Sequence, residues 1–454
     1  MMKKIIYILI CLTLFSCDDY LDIQPKGQLI PKTAEEYDYL LNGYDIKTTP
    51  NLQYSFSPYF VPFNYNTLTD NWKKAYRFKE YTSNEAEDDW DWNSAYKVIF
   101  ICNTVINGVK ELEQDSEAKR VIAEAKLHRA YIYFILTNLY ALQYNEATAS
   151  SALAVPIVND ANFENKPTRA TVAQVYKLIL DDVNESIEFL PKQQRNRVRP
   201  SQAAAYGLLS RVYLYQKDFI NAEKYAKESL KLYNKIHDFN SGWYPAYLEQ
   251  NTELTWAKSA NSMSPLFWMT AMTKFKGALK PRFENGDLRI MPSKFVPFGV
   301  DLWFFEMSNR YAGVGVPELH LTIAECRARE NDIQGALAPL NHIRKFRFSE
   351  ADYIELTKDN YLDNTPDDVN NLFERVLLER ERELLFKGHY FFDVKRLNAE
   401  GKWNKDLVRE ETTVVDGENI TKTYTLKANS NLWMMAIPPK VIMEFNSGLE
   451  QNSR

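Results

Sequence analysis

The densest concentration of potentially reactive side chains is the run EAEDDWDWNSAY, where Glu85, Glu87, Asp88, Asp89 and Asp91 surround Trp90 and Trp92. Clustered hard carboxylate oxygens suit a calcium ion, and paired carboxylates are the machinery of glycoside hydrolysis. Neither reading has supporting spacing: there is no EF-hand glycine, and no second carboxylate can be assigned as a catalytic partner. The third reading is structural, since acidic side chains gather at helix N-termini, where the macrodipole favours negative charge. His128, His237, His320, His342 and His389 share no metal-ligand spacing and lie in no HExxH pattern. GxSxG, P-loop and GxGxxG patterns are also missing. The chain therefore offers no catalytic constellation, and neither enzyme activity, metal nor cofactor is expected.

Aromatic faces offer a different chemistry. Asn51–Phe100 and Asp238–Phe305 each hold 14 Phe, Trp and Tyr residues. Flat indole and phenol rings suit the C–H faces of sugars, with polar loop groups bonding the hydroxyls. Trp72, Trp90, Trp92, Trp243, Tyr244, Trp256, Trp268 and Trp303 are the ligand-binding candidates, although any one such residue is more often core than platform. Asn51–Phe100 reads mostly as loop and short helix, whereas Asp238–Phe305 lacks sustained helical periodicity and reads as a long insertion, and long loops inside compact domains tend to carry function.

The elements that would position them are helical. Pro200–Tyr233 reads as two helices joined by a tight turn, with Ser201 as N-cap. Leu209, Ser210, Tyr213, Phe219, Ala222 and Leu230 fall where a tetratricopeptide (TPR) repeat places apolar and small residues, and Lys217 stands where the repeat often has Gly. Pro317–Arg347 repeats the register through Ala324, Ile333 and Ala336, with Asn331-Asp332 at the turn. Looser helix pairs involve Trp92–Leu112 with Glu117–Leu142, and Thr171–Leu190, where Thr171 and Gln174 form a capping box and Pro191 ends the helix. Asp368–Leu397 reads as one long helix whose Glu379–Glu383 charge run is expected to be a solvated face, with one buried ion pair at Arg380 plausible. Thr412–Leu426 alternates around Asp416-Gly417, the pattern of a small β-hairpin. The expected fold is mainly α, with about four TPR-like pairs over residues 92–233 and 317–397. Variable loop segments are expected at 51–91, 238–305 and 401–431, all within a single domain spanning 17–454.

The chain has 454 residues, a net charge of −5 with acids and bases interspersed, and only 15 glycines. This gives no electrostatic footprint for nucleic acid and argues against an all-β protein. At the N-terminus, Lys3 and Lys4 precede an apolar run from Ile5 to Phe15, too short to span a bilayer and right for a signal-peptide core. It ends Leu14-Phe15-Ser16-Cys17, which resembles the lipobox of bacterial lipoproteins. Cleavage after residue 16 with acylation of Cys17 is the expectation, giving an exported protein with a multi-chain lipid anchor. Cys102 and Cys326 remain, both on apolar helical stretches and expected as buried thiols. The acidic Asp18–Asp22 stretch resembles the surface-export signal of Bacteroidetes lipoproteins.

Several stretches together resemble the SusD/RagB family of outer-membrane nutrient-binding lipoproteins. CDDYLDIQPKG looks like the family's lipidated start, and WNSAYKVIFICNTVI its early helix, with Trp92, Tyr96, Ile99 and Asn103 in place. AEAKLHRAYIYFILTNLYA resembles the next helix, PSQAAAYGLLSRVYLYQKDFINA the central repeat, and ERERELLFKGHYFFDVKRL the most recognisable helix. LWMMAIPPKVIMEFNSGLEQN is similar to the closing tail. After Tyr140 the chain departs, with Ala-Leu-Gln-Tyr where relatives often have Gly before Pro-Leu. The resemblance implies a non-catalytic, surface-exposed lipoprotein that acts as a lid on a SusC-like TonB-dependent transporter and captures oligosaccharides for import. Peptides or other nutrients are the alternative cargo, as in the RagB branch. Ligand-binding aromatics vary in position across the family, so no binding residue is carried over by motif.

Overall fold

The structure is a computed structural model and describes residues 31–55, 60–62, 70–79, 83–160, 168–242, 248–260, 273–275, 281–290, 312–385, 387–445 and 449–453. Its helices are α1 Ala34–Leu40, α2 Leu52–Ser55, α3 Asp70–Tyr76, α4 Trp90–Lys110, α5 Ser116–Tyr140, α6 Val172–Ser186 and α7 Gln202–Tyr215. They continue with α8 Phe219–Leu232, α9 Val316–Arg329, α10 Ile333–Arg344, α11 Leu372–Glu383, α12 Tyr390–Ala399 and α13 Pro439–Phe445. α4 packs on α5, α5 on α6, α7 on α8 and α9 on α10, while α9 also bridges α8 to α11. This is the mainly helical, repeat-like scaffold that the periodicity predicts.

Local chemistry sets the helix ends. Ser201 caps α7, and Thr171 and Gln174 form the reciprocal capping box of α6. The turns of the two repeat pairs need one residue in the left-handed region. Lys217 (φ 66°) and Asn331 (φ 59°) supply it, and Asp218 and Asp332 then cap the second helices. Small residues bring α7 and α8 together: Ser210 Oγ donates to Ala222 O at 2.9 Å, and Ser229 Oγ to Ala203 O at 2.6 Å. A side chain at Gly207 would collide with Val314.

The second half of α5, from Ala130 to Tyr140, is apolar nearly all round, and every residue from Leu127 to Tyr140 is buried. Its last carbonyls have no partners within the helix and no access to water, so distant groups must satisfy them. Lys395 Nζ donates to Asn138 O (2.7 Å) and Ala141 O (2.6 Å), the Met435 N–H to Leu139 O (2.8 Å), and Asn452 Nδ2 to Tyr140 O (2.8 Å). The Gln451 amide pairs with both backbone groups of Ile437 at 2.9 Å. The closing tail therefore serves as a C-cap for the central helix.

Sheet is minor: every described sheet has two strands. β1 (Thr48–Thr49) pairs in parallel with β3 (Ser259–Ala260), and β2 (Leu254–Trp256) pairs antiparallel with β4 (Val314–Gly315). β5 (Leu407–Val415) and β6 (Glu418–Leu426) form the expected hairpin, with Asp416 (φ 52°) and Gly417 (φ 85°) at the turn. Cys102 and Cys326 are free, buried thiols.

Two expectations are corrected. Asp368–Leu397 is not one helix: α11 stops at Glu383, and α12 restarts at Tyr390 after Gly388, whose φ of 78° leaves the helical region. The Glu379–Glu383 run is not a solvated face either, since all five side chains are buried. Packing of α9 and α10 and the 281–290 segment around α11 leaves the stretch from Arg375 to Glu383 no face toward water.

Candidate functional site

The acidic run resolves into separate structural duties. Asp89 is the N-cap of α4 and accepts from the Trp92 N–H at 2.9 Å. Asp91 is buried and accepts from the Asn51 N–H (2.9 Å) and Leu52 N–H (2.6 Å), fastening the chain before α2 to the start of α4. Burial, with Asp89 nearby, pushes its pKa up to about 7. Asp88 lies outside, bonded to Lys440 of α13 at 2.7 Å. No group of three or more His, Cys, Asp or Glu among the described residues could hold a metal ion.

Trp90 sits at this capped helix start and is 49% exposed. Trp92, two residues on, turns inward, 4.8 Å from the Tyr96 ring and edge-on to Tyr140 at 4.9 Å. Trp72 is fully buried and stacks on Tyr76 at 5.7 Å. Trp256 is also fully buried: its ring meets His128 (5.0 Å) and Tyr131 (5.4 Å) edge-on, and its Nε1–H donates to Val198 O at 3.2 Å. Trp72, Trp92 and Trp256 are therefore core residues with no ring face free for a ligand, a correction to the candidate set. Trp243, Tyr244, Trp268, Trp303 and Cys17 lie outside the described residues.

The aromatic-rich 238–305 insertion is anchored by charge. Glu284 accepts from Arg344 (2.9 Å), Arg375 (2.7 Å) and Arg382 (2.6 Å). Burial alone would raise its pKa, but these guanidiniums outweigh that and hold it at about 2. Arg289 pairs with Asp287 (2.6 Å), Glu379 (2.7 Å) and Glu383 (3.1 Å), and Arg347 joins Glu383 (2.9 Å) to Glu253. Glu253, Glu284, Asp287 and Arg289 all belong to the insertion. The buried charge run of α11 is thus the base on which that segment is mounted.

A second surface was invisible in the sequence. A groove of about 780 Å³ lies where the turn after α7, the end of α9, the start of α11 and Lys402-Trp403 meet. Arg329 is held between Phe219 (4.1 Å) and Phe373 (4.8 Å) and pairs with Glu400 at 2.7 Å, with Trp403 beside them and Ile220 exposed. Only the placement of Trp403 in a variable segment hinted at it. Phe219 had a sufficient explanation in the repeat pattern.

Comparison with known proteins agrees with this architecture. A family model described as starch-binding, associating with the outer membrane, matches residues 19–214, and the SusD family model matches residues 310–454. A SusD-like protein P2 of Formosa agariphila is 27% identical over 237 residues, covering 49% of this chain and 45% of that protein. A SusD-like protein of Bacteroides ovatus is 22% identical over 317 residues, covering 66% and 51%. The chain spans about half the length of the curated relatives it matches. Among solved structures, a SusD superfamily protein of Bacteroides thetaiotaomicron superposes with a TM-score of 0.74 at 18% identity, over 93% of this chain and 100% of the other. A SusD-like carbohydrate binding protein of Bacteroides vulgatus superposes at 0.64 with 18% identity, over 92% and 98%. Helices α4 to α6, the α9–α10 pair, the buried α11 charge run and the closing tail locked onto α5 lie within segments matched by these family models, and the chain belongs to the SusD/RagB family.

Proposed function

We propose that this protein is a non-catalytic, glycan-binding lipoprotein of the outer membrane, facing the cell exterior through a lipid anchor at Cys17. It captures oligosaccharides and passes them to a SusC-like TonB-dependent transporter. Family membership supports nutrient binding at the outer membrane, and the carbohydrate binding named for a structural relative supports sugars as the nutrient. The observation that carries the reading to this chain is Trp90. Its half-exposed indole stands at the capped start of a long helix, two residues after Asp88, whose carboxylate bonds Lys440, so an exposed indole and polar groups able to bond hydroxyls share this end of the helix. Trp243, Tyr244, Trp268 and Trp303 are further candidates for the same platform. The signal segment 1–16 and a single domain over 17–454 complete the proposal.

The test is affinity electrophoresis of the soluble chain beginning at Asp18, through gels containing a panel of polysaccharides, with a peptide panel alongside. Retardation by one glycan class without its breakdown, lost in Trp90→Ala, is the expected result. Release of reducing ends would overturn the non-catalytic reading, and binding of peptides alone would move the cargo to the RagB alternative.

A further inference from the structure

A cavity of about 550 Å³ lies at the opposite end of the α7–α8 pair from the Phe219 groove, between the loop leading into α7 and the chain leaving α8. Lys192, Arg195, Arg197 and Lys235 line it, with Glu249 as the only acid among the described lining residues. Arg195 leans at 3.7 Å on Asp38, in a cluster where Arg120 and Arg199 are themselves offset by Glu117 and Glu124, so that pair contributes little net charge. Three bases against one acid remain, on a chain whose overall charge is −5.

Its parts are also arranged for a ligand. Arg197 is fixed: Nη1 donates to Leu254 O (2.8 Å), Nη2 to the Tyr233 hydroxyl (2.7 Å), and the guanidinium lies 4.9 Å from the Tyr233 ring centre. Lys192 and Lys235 are exposed and make no ion pair with any described carboxylate, so their ammonium groups keep full donor capacity. Gln193 adds an amide of the kind that bonds hydroxyls, and Asn196 and Asn234, whose Oδ1 atoms already bond the Val198 and Arg199 N–H groups and His320 respectively, add Nδ2 donors. A cavity combining free ammonium donors, a fixed cation and a tyrosine ring suits an anion carried on a polyhydroxylated body.

The geometry points to a second ligand site here, separate from the Trp90 platform, that takes carboxylate or sulfate groups of an acidic saccharide. That the anion is borne by a saccharide rests on the function proposed above; the anion preference itself does not.

The probes are polygalacturonate, dextran sulfate and neutral dextran, titrated into the soluble chain at low and high salt. Lys192→Gln/Lys235→Gln is compared with Lys217→Gln/Lys402→Gln, which removes the same charge from the other groove. Binding of a polyanion but not dextran, weakened roughly five- to tenfold in the first variant and unchanged in the second, is the expected result. The preferred polyanion tells carboxylate from sulfate. Equal loss in both variants would reduce the effect to general electrostatics and overturn the site, as would no polyanion binding at all. Neutral glycan binding that depends on Trp90 but on neither lysine pair would overturn this site while leaving the proposed function standing. The lysines are exposed, and unchanged thermal melting of both variants confirms that folding is not being read.

Discussion

Glu379→Gln is the sharpest test of how this fold is held together. Glu379 is fully buried, with Arg289 at 2.7 Å, Arg344 at 3.3 Å, Arg382 at 3.4 Å and Arg375 at 3.9 Å. Burial alone would push its pKa up, yet the four guanidiniums hold it well below the usual carboxylate range. Gln keeps the size and removes the charge, leaving buried cations short of one counter-ion. Breaking a buried pair in this way costs about 3–5 kcal/mol, whereas the same change on a solvated face costs about 0–1 kcal/mol. With a urea slope of about 3–5 kcal/mol per molar for a chain this long, the unfolding midpoint falls by roughly 1 M. Glu228→Gln, which breaks an exposed pair with Lys231, serves as the control and shifts the midpoint little. Because Glu253, Glu284, Asp287 and Arg289 share the network, loosening should appear first as protease sensitivity in the 281–290 segment. Equal midpoints for Glu379→Gln and Glu228→Gln would refute the buried-network account.

Further outcomes follow from other sites. Lys258 is fully buried: its Nζ donates to Ile46 O, lies 2.7 Å from His128 Nδ1, and sits over the Trp256 ring at 4.9 Å. Burial lowers its pKa from 10.5 to about 7, so between those values the unfolded chain holds a proton that the folded chain does not. Stability contributed by this group therefore rises with pH from about 7 toward 10.5. Urea midpoints at pH 7 and 9 should show a smaller rise in Lys258→Met than in the natural chain, and an identical pH response in both would refute the assignment. Trp92→Ala should cost about 3–5 kcal/mol through a core cavity, while Trp90→Ala leaves the melting temperature nearly unchanged and removes glycan retardation. Equal melting losses for the two would mean that Trp90 is packed. Cys17→Ala should leave the protein unlipidated and absent from the membrane fraction, which radiolabelled palmitate incorporation and fractionation read directly.

What the sequence determined by itself was local: the periodic helices, the caps at Ser201 and Thr171, the left-handed turn beside Asp332 and the Asp416-Gly417 hairpin. Each depends on residues within a few positions of one another, and the ordered motifs built from them sufficed to place the chain in its family. The acid cluster was also legible as a helix start, although Asp91 fastening residues 51 and 52 was not. Tertiary structure alone decided which side chains meet water. Glu379–Glu383 looks like any solvated charge run until α9, α10 and the 281–290 segment close around it. Trp90 and Trp92 are two residues apart, and helical geometry turns one out and the other into Tyr96 and Tyr140. The Arg329 groove and the cavity around Lys192 and Lys235 join residues from distant segments. Solvation and pocket shape are set by whatever the folded chain packs alongside, and that information is carried by no single stretch of sequence.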